Sequence, residues 1–285
     1  FQSAYPSHEL YDDASEKLIF AYIENNELVS AAEILVRVSN KSQDKVKSAN
    51  YLYRAADLYH TNGFEYEGVQ LYEKFVNNYK DFFDLNIEAQ YLIVQFNESS
   101  GNKSAANSWK HKLVQYEKED TSKRTDRSSL LASSAALSLA MNDYKTFEEY
   151  KLTLPLKKSL SKKKALLTGV VKKFESLVDY EVADVISAST YQIAQVYRAL
   201  AQDLMLSERP SELNELQLEQ YDILLEEQAY PFEEQALDIY KINLSKVPSG
   251  QFDDWIKLSL RALEAMNPVE YKREFKEASH ATSIY

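Results

Sequence analysis

Five residue columns recur along the first 115 positions of the chain at an interval of 37. Leu18, Ala55 and Leu92 form one column, followed by Ile19/Ala56/Ile93, Tyr22/Tyr59/Phe96, Ala31/Gly68/Ala105 and Leu35/Tyr72/Trp109. A period of this size marks an array of helix hairpins, because one hairpin cannot bury its apolar face alone and must stack on the next. The spacing predicts an all-α solenoid of antiparallel hairpins, a class that works by presenting a surface.

Residue size gives the columns a physical role. Ala31, Gly68 and Ala105 are small enough to let a second helix approach, and Tyr22, Tyr59 and Phe96 on the preceding helix pack beside them. Between the two helices of each hairpin lie Asn25-Asn26, Asn62-Gly63 and Gly101-Asn102, residue types that tolerate a positive φ and mark bends. The hairpins are expected over about 8–38, 44–79 and 84–117.

At this point the residues resemble the tetratricopeptide repeat (TPR) family. Leu52, Ala55, Ala56, Tyr59, Gly63, Gly68, Tyr72 and Phe75 fall on its signature positions, whereas the first and third repeats lack some of them. The period exceeds the family's usual length of about 34, which longer inter-repeat loops such as 39–44 would explain. HEAT repeats span a similar length and stand as the minority alternative. The resemblance implies a right-handed superhelix whose concave groove binds proteins or peptides.

Composition agrees with long helices. Five Gly and six Pro in 285 residues leave few breakers. The array is expected to run over residues 1–155, with a divergent region of longer helices continuous with it over 156–285. No run of eighteen apolar residues exists, so no membrane-spanning helix is expected. A start at Phe1 rather than Met reads as a processed product or a piece of a longer chain. The lack of Cys removes disulfides and thiol chemistry.

A net charge of −11 argues against nucleic-acid binding, which relies on cations that neutralise phosphates. That figure conceals two opposed blocks. Between Lys151 and Phe174 stand eight lysines and no acid, whereas between Asp203 and Asp238 eleven acids face the single Arg209. The bland reading of each is a solvated helix face; the sharper one makes the lysines a docking patch for an acidic partner or an anionic surface. Internal neutralisation between the two blocks is a third.

Beyond a polar stretch at 117–127, a fourth hairpin is expected with its bend at Asn142-Asp143 and its end at Pro155. Helices follow over 157–180, 182–206 and 212–229, the last burying Leu213, Leu216, Tyr221, Leu224 and Leu225. Pro210 or Ser211 would open that third helix. Pro231 would open the next, with Phe232, Ala236, Ile239 and Asn243 along one face. A final helix carries Phe252, Trp255, Ile256, Leu260 and Leu263 and stops at Asn267-Pro268.

The stretch from about Tyr191 to Tyr271 resembles the end of large TPR proteins of Gram-negative bacteria, some of which accompany envelope energy-transducing or gliding machinery. The resemblance implies a periplasmic or envelope-associated adaptor, with the cytoplasm as the other location. His8, His60, His111 and His280 are scattered without ligand spacing, and no phosphate-binding loop or nucleophile elbow is present. No metal, cofactor or enzymatic activity is therefore expected.

The expected function is non-catalytic protein binding. Glu16, Tyr53, Arg54, Asp57, Gln90 and Asn97 are placed in the repeat groove, with Tyr91 beside them, and Lys157, Lys158, Lys162, Lys163 and Lys164 form the second contact surface. The alternatives are an oligomerisation module of a larger repeat protein, whose C-terminal helices pair with a second copy or with the rest of a longer chain, and, less favoured, an all-helical enzyme with a carboxylate pair in a deep pocket.

Overall fold

The computed structural model describes residues 10–272, which form twelve α-helices and, among those residues, no strand. They fall into two compact units that divide between Leu139 and Ala140, inside α7 (Asp126–Glu149), whereas the sequence changes character at Pro155.

The first unit holds α1 (Tyr11–Glu24), α2 (Leu28–Lys41), α3 (Lys45–Thr61), α4 (Glu65–Asn78), α5 (Phe83–Ser99), α6 (Lys103–Glu119) and the start of α7. Each of α1 to α6 packs on its neighbour in chain order, as a hairpin array requires. The three bends share one geometry. A single left-handed residue turns each of them, Asn26 (φ 60°), Gly63 (φ 86°) and Gly101 (φ 73°). The amide just beyond reaches back five residues to a helix carbonyl, Glu27 to Tyr22 (2.8 Å), Phe64 to Tyr59 (3.0 Å) and Asn102 to Asn97 (2.8 Å). These bonds satisfy carbonyls that the helix end leaves free.

The columns of the repeat fill the core. Ile19, Ala56 and Ile93 are buried, as are Leu35, Tyr72 and Trp109; of the small residues Ala31 and Gly68 are buried and Ala105 half-buried. At Gly68 a Cβ would stand 2.9 Å from both the Ala56 carbonyl oxygen and the His60 amide nitrogen. Neither is the movable end of a side chain, so α3 and α4 approach this closely only over glycine. Between hairpins, Ser39 and Ser48 each donate a hydroxyl to the other's carbonyl (2.8 and 2.6 Å), and Asp44 caps α3 through the amides of Val46 and Lys47.

The fourth hairpin does not form. Asn142 and Asp143 lie within α7, which runs unbroken to Glu149. The dipeptide lacks a left-handed residue. Buried Ala140 and Phe147, seven positions apart, carry one apolar face past it.

The second unit is organised around α9 (Ala183–Met205), which packs against α8 (Leu156–Glu175), α10 (Glu215–Leu244) and α11 (Asp254–Met266). Asn243 ties three of them together. Its buried amide donates to the Ser187 carbonyl and the Ser259 hydroxyl, both at 2.9 Å, and its oxygen accepts from Lys246 at 2.9 Å. Pro268 opens the short α12 (Pro268–Tyr271).

Two expectations about α10 are corrected. Its start is at Glu215, with Asn214 and Gln217 in a reciprocal capping box, rather than at Pro210 or Ser211. It also passes straight through Pro231. Leu225, Ala229, Ala236, Tyr240 and Asn243 form one buried stripe that stays in phase on both sides of the proline. Pro231 and Glu227 are exposed, so the carbonyl that loses its amide partner faces water. Of the five residues expected to be buried before it, only Leu225 is; Leu213 and Tyr221 are half-buried, and Leu216 and Leu224 are exposed.

The glycines yield a paired prediction. Gly68→Leu is expected to lower unfolding free energy by about 1–3 kcal/mol through overpacking. Gly169→Ala, where an added Cβ meets nothing within 4 Å, should raise it by about 0.4–1 kcal/mol. Urea denaturation of both variants checks the contrast.

Candidate functional site

In the first unit hydrogen bonds link α1 to α3 and α5 to α7, and the charge of an α5 carboxylate reaches a tyrosine of α3. From α1, Glu16 accepts the Tyr51 hydroxyl of α3 at 2.8 Å. Tyr53, also on α3, packs edge-on against Tyr72 and Phe75 and feels the charges of Asp57 and of Glu88 on α5. Glu88 in turn accepts two hydrogen bonds from the Arg127 guanidinium of α7, at 2.7 and 3.1 Å. Arg127 lies 5.6 Å from the Tyr91 ring centre, and the Tyr91 hydroxyl accepts from Gln95 at 2.6 Å. The result is a row of tyrosines and carboxylates running from α1 to α7.

Three of the six residues placed in the groove, Glu16, Tyr53 and Asp57, belong to this row, and Arg54 is exposed on α3 without joining it. Glu16 and Asp57 are exposed and Tyr53 is half-buried. Gln90 and Asn97 are corrected, because both are buried. Asn97 donates to the Ile93 carbonyl one turn earlier (2.8 Å). α5 buries eight residues against five on α3 and three on α1, with Leu131 of α7 joining Phe83 and Ile87 beside the cover that α4 and α6 supply. The interval between bends also grows from 37 to 38 at the third hairpin, from positions 26 and 63 to 101. One residue turns a helix face by about 100°, and Tyr91 takes the outward place foreseen for Gln90. Tyr51, Glu88 and Arg127 were missed, because their link is between helices and leaves no mark on one helix's periodicity.

Burial raises the phenols of Tyr51 and Tyr53. Desolvation, then the hydrogen bond to Glu16, pushes the Tyr51 hydroxyl up to about 12; desolvation, then Glu88, does the same for Tyr53. Tyr72, buried behind Tyr53, is raised further, with desolvation the main cause.

Beneath α5 lies a cavity of about 260 Å³ lined by Asn86, Gln90, Trp109, Lys112 and Tyr116. Asn86 donates to the carbonyls of Tyr79 (2.7 Å) and Phe82 (2.9 Å), which fixes its amide and leaves Oδ1 without a partner among the described residues. The Gln90 amide nitrogen is likewise unpaired there.

The lysine block is not one surface. Lys157, Lys158 and Lys162 are exposed, whereas Lys164 is half-buried with its ammonium 5.1 Å from the Phe232 ring centre. Lys163 is 0% exposed and is corrected as a contact residue. Its ammonium pairs with Asp203 of α9, donates to the Tyr150 carbonyl at 2.6 Å and lies over the Phe147 ring. Lys163 holds its helix to α9 from within. Lys158 and Lys162, with Tyr150, Thr153 and Ser161, border an open cleft of about 510 Å³.

Among the described residues no three His, Asp or Glu side chains come together as metal ligands, and His8 and His280 lie outside those residues. No helix is long and apolar enough to cross a membrane. No family model, curated protein or solved structure matches the chain.

Two outcomes are expected. In an ultraviolet titration, Glu16→Gln should lower the Tyr51 pKa and leave Tyr53 in place. Because these phenols titrate higher folded than unfolded, their contribution to stability is complete below about pH 10 and is lost as pH rises towards 12. Asp203→Ala should destabilise the fold by about 3–5 kcal/mol by leaving Lys163 buried and unpaired, while the Lys163→Met/Asp203→Leu double variant recovers most of that loss in thermal melts.

Proposed function

We propose that the chain is a non-catalytic protein-binding scaffold of TPR type, which holds a peptide or helix of a partner against the odd-helix face of its first unit. The observation that carries this reading is the continuous row of Glu16, Tyr51, Tyr53, Asp57, Glu88, Tyr91 and Arg127 across four helices. Tyrosine supplies a large contact area at little entropic cost, and packing already holds these rings, so binding spends little on ordering them. The exposed acids Glu16 and Asp57 favour a partner segment with basic residues or free backbone amides.

Among the described residues, the carboxylates that titrate away from the ordinary range do so downwards. Asp81, Asp120 and Asp254 lie below the ordinary range because of hydrogen bonds from Lys45, from Ser122 and from Lys257 respectively. That is the direction of solvated, paired surface groups and the opposite of a proton-donating acid. Attachment to a bacterial envelope complex, as an adaptor, is the part of the proposal supported by the resemblance of residues 191–271 alone.

A displayed peptide library selected on the intact chain, followed by calorimetry of the best binder, tests the reading. Tyr53→Ala and Asp57→Ala are each expected to weaken binding at least tenfold, about 1.4 kcal/mol or more, while a Lys157/Lys158/Lys162→Glu variant binds as the parent does. Selected peptides that bind the Tyr53→Ala/Asp57→Ala variant unchanged would remove the site from this face.

A further inference from the structure

The outer face of α10 takes no part in the row on the first unit. Leu216, Ile223 and Tyr230 are 65%, 50% and 59% exposed and stand seven residues apart, so they form one straight apolar stripe along the helix. Glu219, Glu226 and Glu233 repeat at the same interval along one side of it, and Glu227 and Glu234 border the other. The stripe lies opposite the face that packs into the unit through Leu225, Ala229 and Ala236. A ridge of this kind, apolar at its crest and acidic on both flanks, suits a helix that carries cations beside a shallow floor.

The same chain holds such a helix. On α8 the residues opposite the buried side, Ser159, Lys163, Leu167 and Val170, are Lys158, Lys162, Ala165, Gly169 and Lys172, all of them exposed. Ala165 and Gly169 leave the floor open, since a Cβ added at Gly169 meets nothing within 4 Å. No acid neighbours these lysines in sequence from Lys151 to Phe174, and no ion pair among the described residues engages Lys158, Lys162 or Lys172. Lys158 to Lys172 and Leu216 to Tyr230 each span fourteen residues, about 21 Å of helix at 1.5 Å per residue. Charge, length and relief therefore match.

We propose that the α10 ridge of one molecule docks on the α8 lysine face of a second copy. Both faces belong to one unit, so each molecule offers one and receives the other. The contact is heterologous, and association runs past the dimer unless a ring closes. It uses neither the odd-helix face nor any residue assigned there, so the two readings stand or fall separately. The opposed charge blocks act here between copies, where salt screens them.

Sedimentation of the full chain over a concentration series, at about 0.05 M and 0.5 M salt, tests this. Mass is expected to rise with concentration at low salt and to fall back towards the 32.9 kDa of one chain at high salt. Glu219→Lys/Glu226→Lys/Glu233→Lys and Lys158→Glu/Lys162→Glu/Lys172→Glu should each be monomeric, with helical circular dichroism unchanged, because each sets like charges against like. Mixing the two variants restores association, since every α10 then finds an α8 of opposite charge. A wild-type chain that stays monomeric at low salt overturns the proposal. So does association that survives either charge reversal, or a mixture that remains monomeric.

Discussion

At Gly68 two helix backbones come so close that the absence of one methyl group decides whether they meet. The Ala56 carbonyl and His60 amide occupy the space a Cβ would need, and this approach brings Tyr72 and Phe75 into the same buried cluster as Leu52 and Ala56. Once α3 and α4 are held at that separation, the apolar sides left over have no cover except the neighbouring hairpins. Stacking follows from that remainder. The left-handed residue at each bend serves the same end, because it reverses the chain in the fewest residues and lets the two helices lie in contact along most of their length.

The second unit depends on a different device. Where the repeats use apolar columns, α8 to α11 are fixed at two points by buried polar groups whose partners come from other helices. Asn243 meets α9 and α11 with its amide hydrogens, and Lys163 reaches both Asp203 and the Tyr150 carbonyl. Such groups cost more than they return if one bond is lost, so they select a single arrangement of the helices rather than simply strengthening it. With Lys163 turned inward, the remaining exposed lysines of α8 lie on one face, a division that governs what the helix can contact.

The fold was largely legible because the features that made it legible are local. Small, large and bend-forming residues recurring at 37 positions place three hairpins to within a few residues, and Asn26, Gly63 and Gly101 turn as their residue types foretell. The errors fall where a local rule met a longer-range one. Asn142-Asp143 resembles a bend but sits in a helix whose buried face, Ala140 and Phe147, continues past it, and Pro231 resembles a helix start but interrupts a stripe that packing holds in phase. The candidate site was half legible. Tyr53 and Asp57 could be placed from the repeat, whereas the burial of Gln90 depends on neighbours that cover α5 from three directions.

The sequence by itself determined that this is an all-helical array, where its first three bends fall, which residues line its first core and that its later charges are segregated. These properties follow from backbone conformation and from periodicity, which act within a few turns of one helix. The tertiary structure alone decided which polar residues face water, that Arg127, Glu88 and Tyr53 belong to one row, that Lys163 is a tie rather than a contact, and that the stripe of Leu216, Ile223 and Tyr230 lies uncovered. Each of those outcomes rests on the rotation of one helix against another, a quantity set by the packing of many side chains at once, for which no single segment carries the information.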